Sequence, residues 1–347
     1  MDLKVKDIAK TLNVSPSTVS LVLNNKPGIG IHTRNKILNF VEEMGYTTNI
    51  HSKRLQNHNR TIRFVIYKKH GKVVADTPFF SALIEGIEQQ ARISGYNLMV
   101  LYLNRNDENI AEAFKVLSES NPEGILLLAT EMDTSDLKKF KEIKCPLVIM
   151  DNHFPHENYD SVVINNFDSA YRVVNFLIAS GHTRIGYLHS SVSITNFEER
   201  KQGVIKALLD NGLRLDNKYI YSLDSTLAGA YGDMLEIIQK KPRDKKSFPS
   251  ALFADNDIIA SGAVKALKEK GFIIPEDISV VGFDDMPLCE FLEPPLTTVR
   301  VYKQNMGMLA LKRLVDIIEC KTHENINIQV GTRIIERNST CNMNNLY

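Results

Sequence analysis

The chain has 347 residues, 43% of them apolar and 24% charged, with no Trp and a formal net charge of +1. That length is too great for one ordinary core and predicts two or three domains, while the composition excludes a disordered or fibrous protein and no window approaches the roughly 18 continuous apolar residues of a membrane span. The charge is uneven: residues 1–60 hold nine Lys/Arg against four Asp/Glu and the remainder 33 against 37, so a basic head that suits a polyanion precedes a mildly acidic body.

Residues 1–46 read as three short helices. Ile8, Ala9 and Leu12 stripe the first, Val19, Val22 and Leu23 the second, and Ile37, Phe40, Val41 and Met44 the third. Asn13 sits at the break between the first two, where a left-handed residue is needed and Asn substitutes well for Gly. Ser15 is placed as an N-cap and Pro16 as the first helical residue, so the second helix starts there. Residues 47–60, TTNIHSKRLQNHNR, turn polar and basic and read as a linker with weak helical potential.

From residue 61 short apolar runs alternate with amphipathic helices. Strands are expected at 62–67, 98–103, 124–129, 147–150, 162–164, 185–188, 251–254 and 278–283, with helices such as 80–94, 168–180, 198–211 and 257–270 between them. Continuous apolar strands alternating with helices imply parallel sheets covered on both faces. Eight or more such units suit two similar lobes better than one sheet. The fold class is therefore an all-α helix-turn-helix head followed by a two-lobed α/β core of parallel sheets flanked by helices.

Two short helices joined by a tight turn are a helix-turn-helix, whose second helix enters the major groove with its N-terminal residues at base edges. Such a surface needs small hydrogen-bonding groups for phosphates, which Ser15, Thr18, Ser20 and Asn24 supply. The duller alternative is that these hydroxyls only cap and solubilise. Cys145, Cys289, Cys320 and Cys341 are scattered, with no CxxC and no nearby histidine pair, which fits reduced thiols rather than a zinc site. No GxGxxG, P-loop or GxSxG stretch is present, so the reading is no enzyme and no cofactor. With no apolar stretch of an export signal in MDLKVKDIAK, the expected location is cytoplasmic.

The stretches DIAKTLNVSPSTVSLVLNNKPG, TRNKI, TTNIHSKRL, FFSALIEGIEQQARISGYNL, GHTRIGYL, FADNDIIASGAVKALKEKGFIIPEDISVVGFDD, PLTTVR and RIIERNST resemble, in order, the lactose/galactose repressor (LacI/GalR) family of bacterial transcription regulators. The resemblance implies a DNA-binding head over 1–46, a hinge over 47–60, and a core over 61–347 similar to periplasmic sugar-binding proteins. Its lobes would be 62–163 with 295–322, and 164–294 with 323–347. By position Pro16, Ser17 and Leu21 would face bases while Ser15, Thr18, Ser20, Asn24 and Thr33 hold phosphates. Leu21 stands where the family usually has Arg or Lys, and Leu cannot make their bidentate guanine contact. Asn49 to Gln56 match the family's hinge helix, in which Asn49, Ser52, Lys53 and Leu55 are assigned to DNA, with Leu55 as the minor-groove wedge. Thr48 replaces the usual proline and Ser52 the usual alanine there.

Ligands of α/β folds bind at the carboxyl ends of parallel strands, so the polar residues ending apolar runs carry the interest. The resemblance assigns Asp151, Arg200, Asn256 and Asp284 to ligand hydroxyls and Phe80 to the pocket border. Asp255 and Asp257 read instead as helix caps, Asp285 and His182 as turn residues, and Phe79 as core or pocket. The expected partners are palindromic operator DNA, a small-molecule effector of sugar type, and a second copy of the chain in a homodimer; no membrane is expected. The implied function is repression of a carbohydrate-utilisation operon. The alternatives are a regulator answering a protein partner or a purine-like corepressor, or a solute-binding protein or enzyme of α/β fold.

Overall fold

In a computed structural model the chain is described over residues 5–23, 29–30, 33–34, 36–37, 40–41, 60–74, 78–240, 247–320 and 324–345. It divides into two units, Met1–Arg60 and Thr61–Tyr347.

In the first unit α1 (Val5–Leu12) and α2 (Pro16–Leu23) meet at Asn13, whose φ of 54° is left-handed. The Val14 N–H donates to the Ala9 carbonyl at 3.0 Å and the Asn13 N–H to the Lys10 carbonyl at 3.4 Å. These paired bonds make a Schellman stop, with Asn where Gly is commonest. Ser15 Oγ accepts the Thr18 N–H at 3.0 Å, so α2 is capped where the sequence places its start. Ile8, Ala9, Val19, Val22, Leu23, Ile37 and Val41 form the core of this unit, and residues 33–34, 36–37 and 40–41 are helical. Met44 and the expected hinge helix from Asn49 to Gln56 lie outside the described residues.

The second unit opens with β1 (Thr61–Lys68), α3 (Pro78–Ser94), β2 (Asn97–Asn104), α4 (Ile110–Glu119), β3 (Gly124–Leu128), α5 (Thr134–Leu137), β4 (Leu147–Met150) and β5 (Asp160–Ile164). Next come α6 (Asn166–Ala179), β6 (Ile185–Ser190), α7 (Thr195–Asp210), β7 (Ile220–Leu223), α8 (Leu227–Lys240), β8 (Ala251–Ala254), α9 (Asp257–Glu269), β9 (Ser279–Val281) and α10 (Leu288–Phe291). Last are β10 (Thr298–Arg300), α11 (Lys303–Cys320), β11 (Asn327–Val330) and β12 (Arg333–Ile335). One sheet runs β11-β5-β4-β3-β1-β2 and the other β7-β6-β8-β9, every pairing parallel. The strands β3 (GILLL), β4 (LVIM) and β8 (ALFA) are buried at every position, as sheets covered on both faces require. No helix among the described residues is long and apolar enough to cross a membrane.

The antiparallel pair β10 and β12 lies where the chain passes between the lobes. The expected allocation of 323–347 to the second lobe is corrected here. β11 pairs with β5 from Asn327 opposite Ser161 to Val330 opposite Ile164, so it completes the first sheet and covers an edge that β5 would otherwise expose. The chain rejoins the second lobe only beyond β12, where the Val280 N–H donates to the Ser339 carbonyl and the Met343 N–H to the Ser180 carbonyl, both at 2.8 Å. Leu296, expected in the first lobe, packs in the core of the second.

The helices α3 and α11 pack on each other backbone to backbone, because a Cβ at Gly86 would fall 2.0 Å from the Gln304 carbonyl oxygen and one at Gly307 would fall 2.4 Å from that of Leu83. Gly86→Ala must therefore push the two helices apart. We expect urea unfolding of the variant to show a loss of about 1–3 kcal/mol, the range of overpacked cores; an unchanged midpoint would refute this close approach.

Candidate functional site

The loops at the carboxyl ends of strands from both sheets converge on one cleft with a cavity of about 240 Å³. Asp151 directly follows β4, Asn256 lies between β8 and α9, and Asp284 stands beyond β9. Arg200 comes from the second turn of α7 and Phe80 from the first turn of α3. All five residues singled out for ligand binding line this cavity, together with Thr130, Asn196 and Phe197. Asp151 and Asp284 are both held at positive φ, 60° and 113°. Such backbone is uncommon away from glycine and persists where the surroundings impose it.

Arg200 is 2% exposed. Its Nε donates to Asn166 Oδ1 at 2.9 Å, and one terminal nitrogen donates to the Asp255 carbonyl. The guanidinium carbon lies 3.6 Å from the centre of the Phe283 ring, and the other terminal nitrogen stands 3.9 Å from Asp284 Oδ1. Asn166 then donates to Asn196 Oδ1 at 3.1 Å, and Asn196 donates to Asp151 Oδ1 at 2.9 Å. Thr130 Oγ1 donates to the second carboxylate oxygen of Asp151 at 2.7 Å. A continuous relay of amides thus links Arg200 to Asp151. Asp284 is different: its Oδ1 is buried with no hydrogen-bond partner in the described protein. Lone buried acceptors are rare enough to need a reason, and here the atom borders a cavity.

Burial raises the Asp151 pKa to about 6 against the opposing pull of Thr130, Arg200 and Asn196. Burial also raises that of Asp284, with Arg200 and Lys303 pulling it down. Beneath the cleft, burial and the neighbouring Asp284 charge push Asp257 up to about 7.

Two cap assignments fail. Asn256, not Asp257 or Asp255, caps α9 by accepting the Ile259 N–H at 2.9 Å, so Asn256 serves the helix as well as the cavity. Asp257 accepts the Met286 N–H at 2.8 Å and the Thr298 hydroxyl at 2.5 Å. Asp255 accepts the Tyr187 hydroxyl, the Ser190 N–H at 2.7 Å and a contact from His189 Nδ1 at 2.8 Å. In a D-N-D run the register of the cap is decided by these distant donors. Asp285 is paired with Arg300 and Arg337, His182 is buried with Nδ1 3.0 Å from Ser250 Oγ, and Phe79 both packs and lines the cavity. Thr130, Asn166 and Asn196 carry no local signal that marks them, and sequence reasoning passed them over.

On the first unit, Ser15, Pro16, Ser17 and Leu21 are exposed, while Thr18, Ser20 and Thr33 are partly buried. Ser17 and Leu21 lie one helical turn apart, away from the buried Val19 and Val22. The Ser15 hydroxyl also lies 2.7 Å from those of Ser17 and Thr18. Asn24, Asn49, Ser52, Lys53 and Leu55 lie outside the described residues.

Residues 4–49 match the family described as bacterial regulatory proteins, lacI family, and residues 174–340 match the periplasmic binding protein-like domain. The NTD biosynthesis operon regulator NtdR of Bacillus subtilis is 30% identical over 97% of this chain and 99% of its own. The HTH-type transcriptional repressor PurR of Mannheimia succiniciproducens is 29% identical over 96% and 98%. Among solved structures, the complex of the transcriptional regulator CelR with cellobiose superposes with a TM-score of 0.72 at 26% identity, over 97% of this chain and 99% of that one. The lac repressor dimer bound to operator and the anti-inducer ONPF shares the fold, with a TM-score of 0.70 at 22% identity over 98% and 100%.

The raised carboxyls set a pH dependence. A folded-state pKa above the unfolded one gives stability that is complete below about pH 4 and lost as pH rises through the folded value. Asp151 and Asp257 therefore contribute a decline between about pH 4 and pH 7. Asp257→Asn removes one of these titrations, and its melting temperature should vary less across that window than the parent's; equal slopes in a calorimetric series would contradict the assignment.

Proposed function

The chain belongs to the lacI family of bacterial regulatory proteins and is a DNA-binding transcriptional regulator, and from that premise we propose that it is a cytoplasmic homodimer repressing a carbohydrate-utilisation operon. In this reading a polyhydroxylated ligand in the cleft switches its affinity for palindromic operator DNA. The observation that carries the ligand class is the buried Asp284 Oδ1 without a partner, beside a guanidinium already committed on two sides. A carboxylate in that state accepts a hydroxyl donor, and the terminal nitrogen of Arg200 facing it can donate to the same or the next oxygen of a polyol. Phe80 offers an aromatic wall to the less polar face of a sugar ring. The solved complex of CelR with cellobiose supports a carbohydrate as the class.

On the head, Pro16, Ser17 and Leu21 would meet base edges and Ser15, Thr18, Ser20, Asn24 and Thr33 phosphates. Leu21 suits a thymine methyl rather than a guanine. Residues 47–60 carry the proposed coupling, with Asn49, Ser52, Lys53 and Leu55 in the minor groove when two copies pair. A ligand switches such a system only through different affinities for two lobe arrangements. The work of the molecule is binding, and no reaction is assigned to it.

Two experiments test the reading. Binding to palindromic operator-like DNA should weaken steeply with salt as counterions are released, and removal of residues 1–60 should abolish it. Salt-insensitive or absent binding would sink the regulator mechanism. A thermal-shift screen of sugars, sugar phosphates and nucleobases on the full chain should yield a sugar hit whose affinity falls about tenfold or more in Asp284→Asn. A hit confined to nucleobases would replace the carbohydrate by the purine-like corepressor.

A further inference from the structure

The loop from Lys69 to Val74, between β1 and α3, is organised by a single side chain. Glu131, just after β3, is buried, and its Oε2 accepts the N–H groups of Lys69, His70 and Gly71 at 2.8, 3.0 and 2.8 Å. Its Oε1 accepts those of Val73 and Val74 at 2.9 and 2.8 Å. Burial works to raise the Glu131 pKa, and these backbone donors outweigh it and hold the group below the ordinary carboxylate range. Lys69 Nζ adds an ion pair with Asp133 at 2.8 Å. Five amides on one carboxylate dictate the path of the loop.

That path delivers Lys72 and Val73 to the wall of the ligand cavity. From there Lys72 Nζ reaches Asp224 Oδ2 at 2.6 Å, and Asp224 follows β7 in the opposite lobe. Asp224 is itself preset. Its Oδ1 accepts the Thr226 N–H at 2.9 Å and the Thr226 hydroxyl at 2.8 Å, and its own N–H donates to Asp233 at 2.7 Å. The absence of a side chain at Gly229 leaves it room, since a Cβ there would stand 2.6 Å from the Asp224 Cβ. Other contacts cross the same cleft, among them Asn196 to Asp151 and His153 Nδ1 to Glu199 at 3.7 Å.

We propose that loop 69–74 is the clasp of the cleft, anchored by Glu131 and caught by the Lys72–Asp224 ion pair, and that it holds the lobes closed over the cavity before any effector arrives. Glu131, Lys72 and Asp224 are then positioning residues for the ligand site. The consequence for the effector rests on the regulator reading; the clasp itself does not. An ion pair with a lysine 45% exposed moves an equilibrium by only about two- to fivefold. Such a factor is negligible for folding and large for two lobe arrangements near balance.

The test uses the full chain without effector or DNA. A carbodiimide joins an amine to a carboxylate only where the two touch, so peptide mass spectrometry should find Lys72 coupled to Asp224. The reference is Lys141 with Glu157, a contact of 2.8 Å inside the first lobe. At low salt the clasp product should reach at least about a third of the reference yield, and that ratio should fall several-fold in about 1 M salt. A lower ratio at low salt overturns the proposal. As a second measurement, small-angle scattering should show a larger radius of gyration for Lys72→Glu and recovery of the parent value in Lys72→Glu with Asp224→Lys. No expansion, or expansion that the exchanged pair does not reverse, refutes the clasp. Because neither readout involves DNA or effector, these failures leave the regulator reading standing, and lost operator binding would leave the clasp standing.

Discussion

Arg200 carries a permanent charge into a place where almost none of its surface meets water, and the cleft is arranged around the need to compensate it. An unpaired ion there would cost several kcal/mol. Compensation comes from Asn166, the Asp255 carbonyl, the face of Phe283 and the nearby Asp284. Four aspartates near the cleft, Asp151, Asp255, Asp257 and Asp284, are buried as well. Burial is the main reason that Asp151 and Asp257 are pushed up to about 6 and about 7, and the neighbouring Asp284 charge adds to it. The protein satisfies Asp151, Asp255 and Asp257 with its own donors and leaves Asp284 short. Hydroxyl donors of a ligand fit that shortage, so the same charge that orders the cleft also makes it receptive.

Legibility from sequence followed how local the determinants are. The turn at Asn13 and the cap at Ser15 depend on neighbours within five residues and came out in place. The buried strands were found because sheets covered on both faces write continuous apolar runs, as in GILLL and LVIM. β11, with NIQV, reads as a weak half-polar run, and only its pairing with β5 makes it a strand of the first sheet. The same holds for three-residue β10 and β12, whose partners are far apart in the chain. In the site, residues at strand ends were visible because the fold class says where to look. Asn166, Asn196 and Glu131 were not, since an amide or acid near a helix start or in a loop looks like any surface residue until its tertiary partners are known. The misassigned caps at Asp255 and Asp257 have the same origin.

The head shows a division of labour within eight residues. Val19, Val22 and Leu23 of α2 serve a small core, and that core leaves the opposite face free of packing duties. Ser17 and the 37% exposed Leu21 occupy that free face. Among the described residues, Leu21 is not part of the core of this unit. Core packing is thus confined to one helical phase of α2, and a change at Leu21 leaves the bonds that make the turn at Asn13 untouched.

The two lobes share one buried apolar cluster, in which Phe64, Phe79, Phe80 and Ile164 of the first stand with Tyr187, Phe253 and Phe283 of the second, and polar contacts add to it around the cavity. The large helix contacts, α3 with α11, α6 with α7 and α8 with α9, are made by pairs of helices flanking the sheets. Across the cavity stand instead hydrogen bonds and ion pairs such as Asn196 to Asp151 and Lys72 to Asp224. A small ligand that adds two or three hydrogen bonds spanning the gap biases the arrangement of the lobes by its differential affinity for it. Moving such an equilibrium from mostly one state to mostly the other takes about 5 kcal/mol of differential binding. That is within reach of a ligand that meets the buried Asp284 oxygen and Arg200 at once while covering the apolar side chains of the cavity.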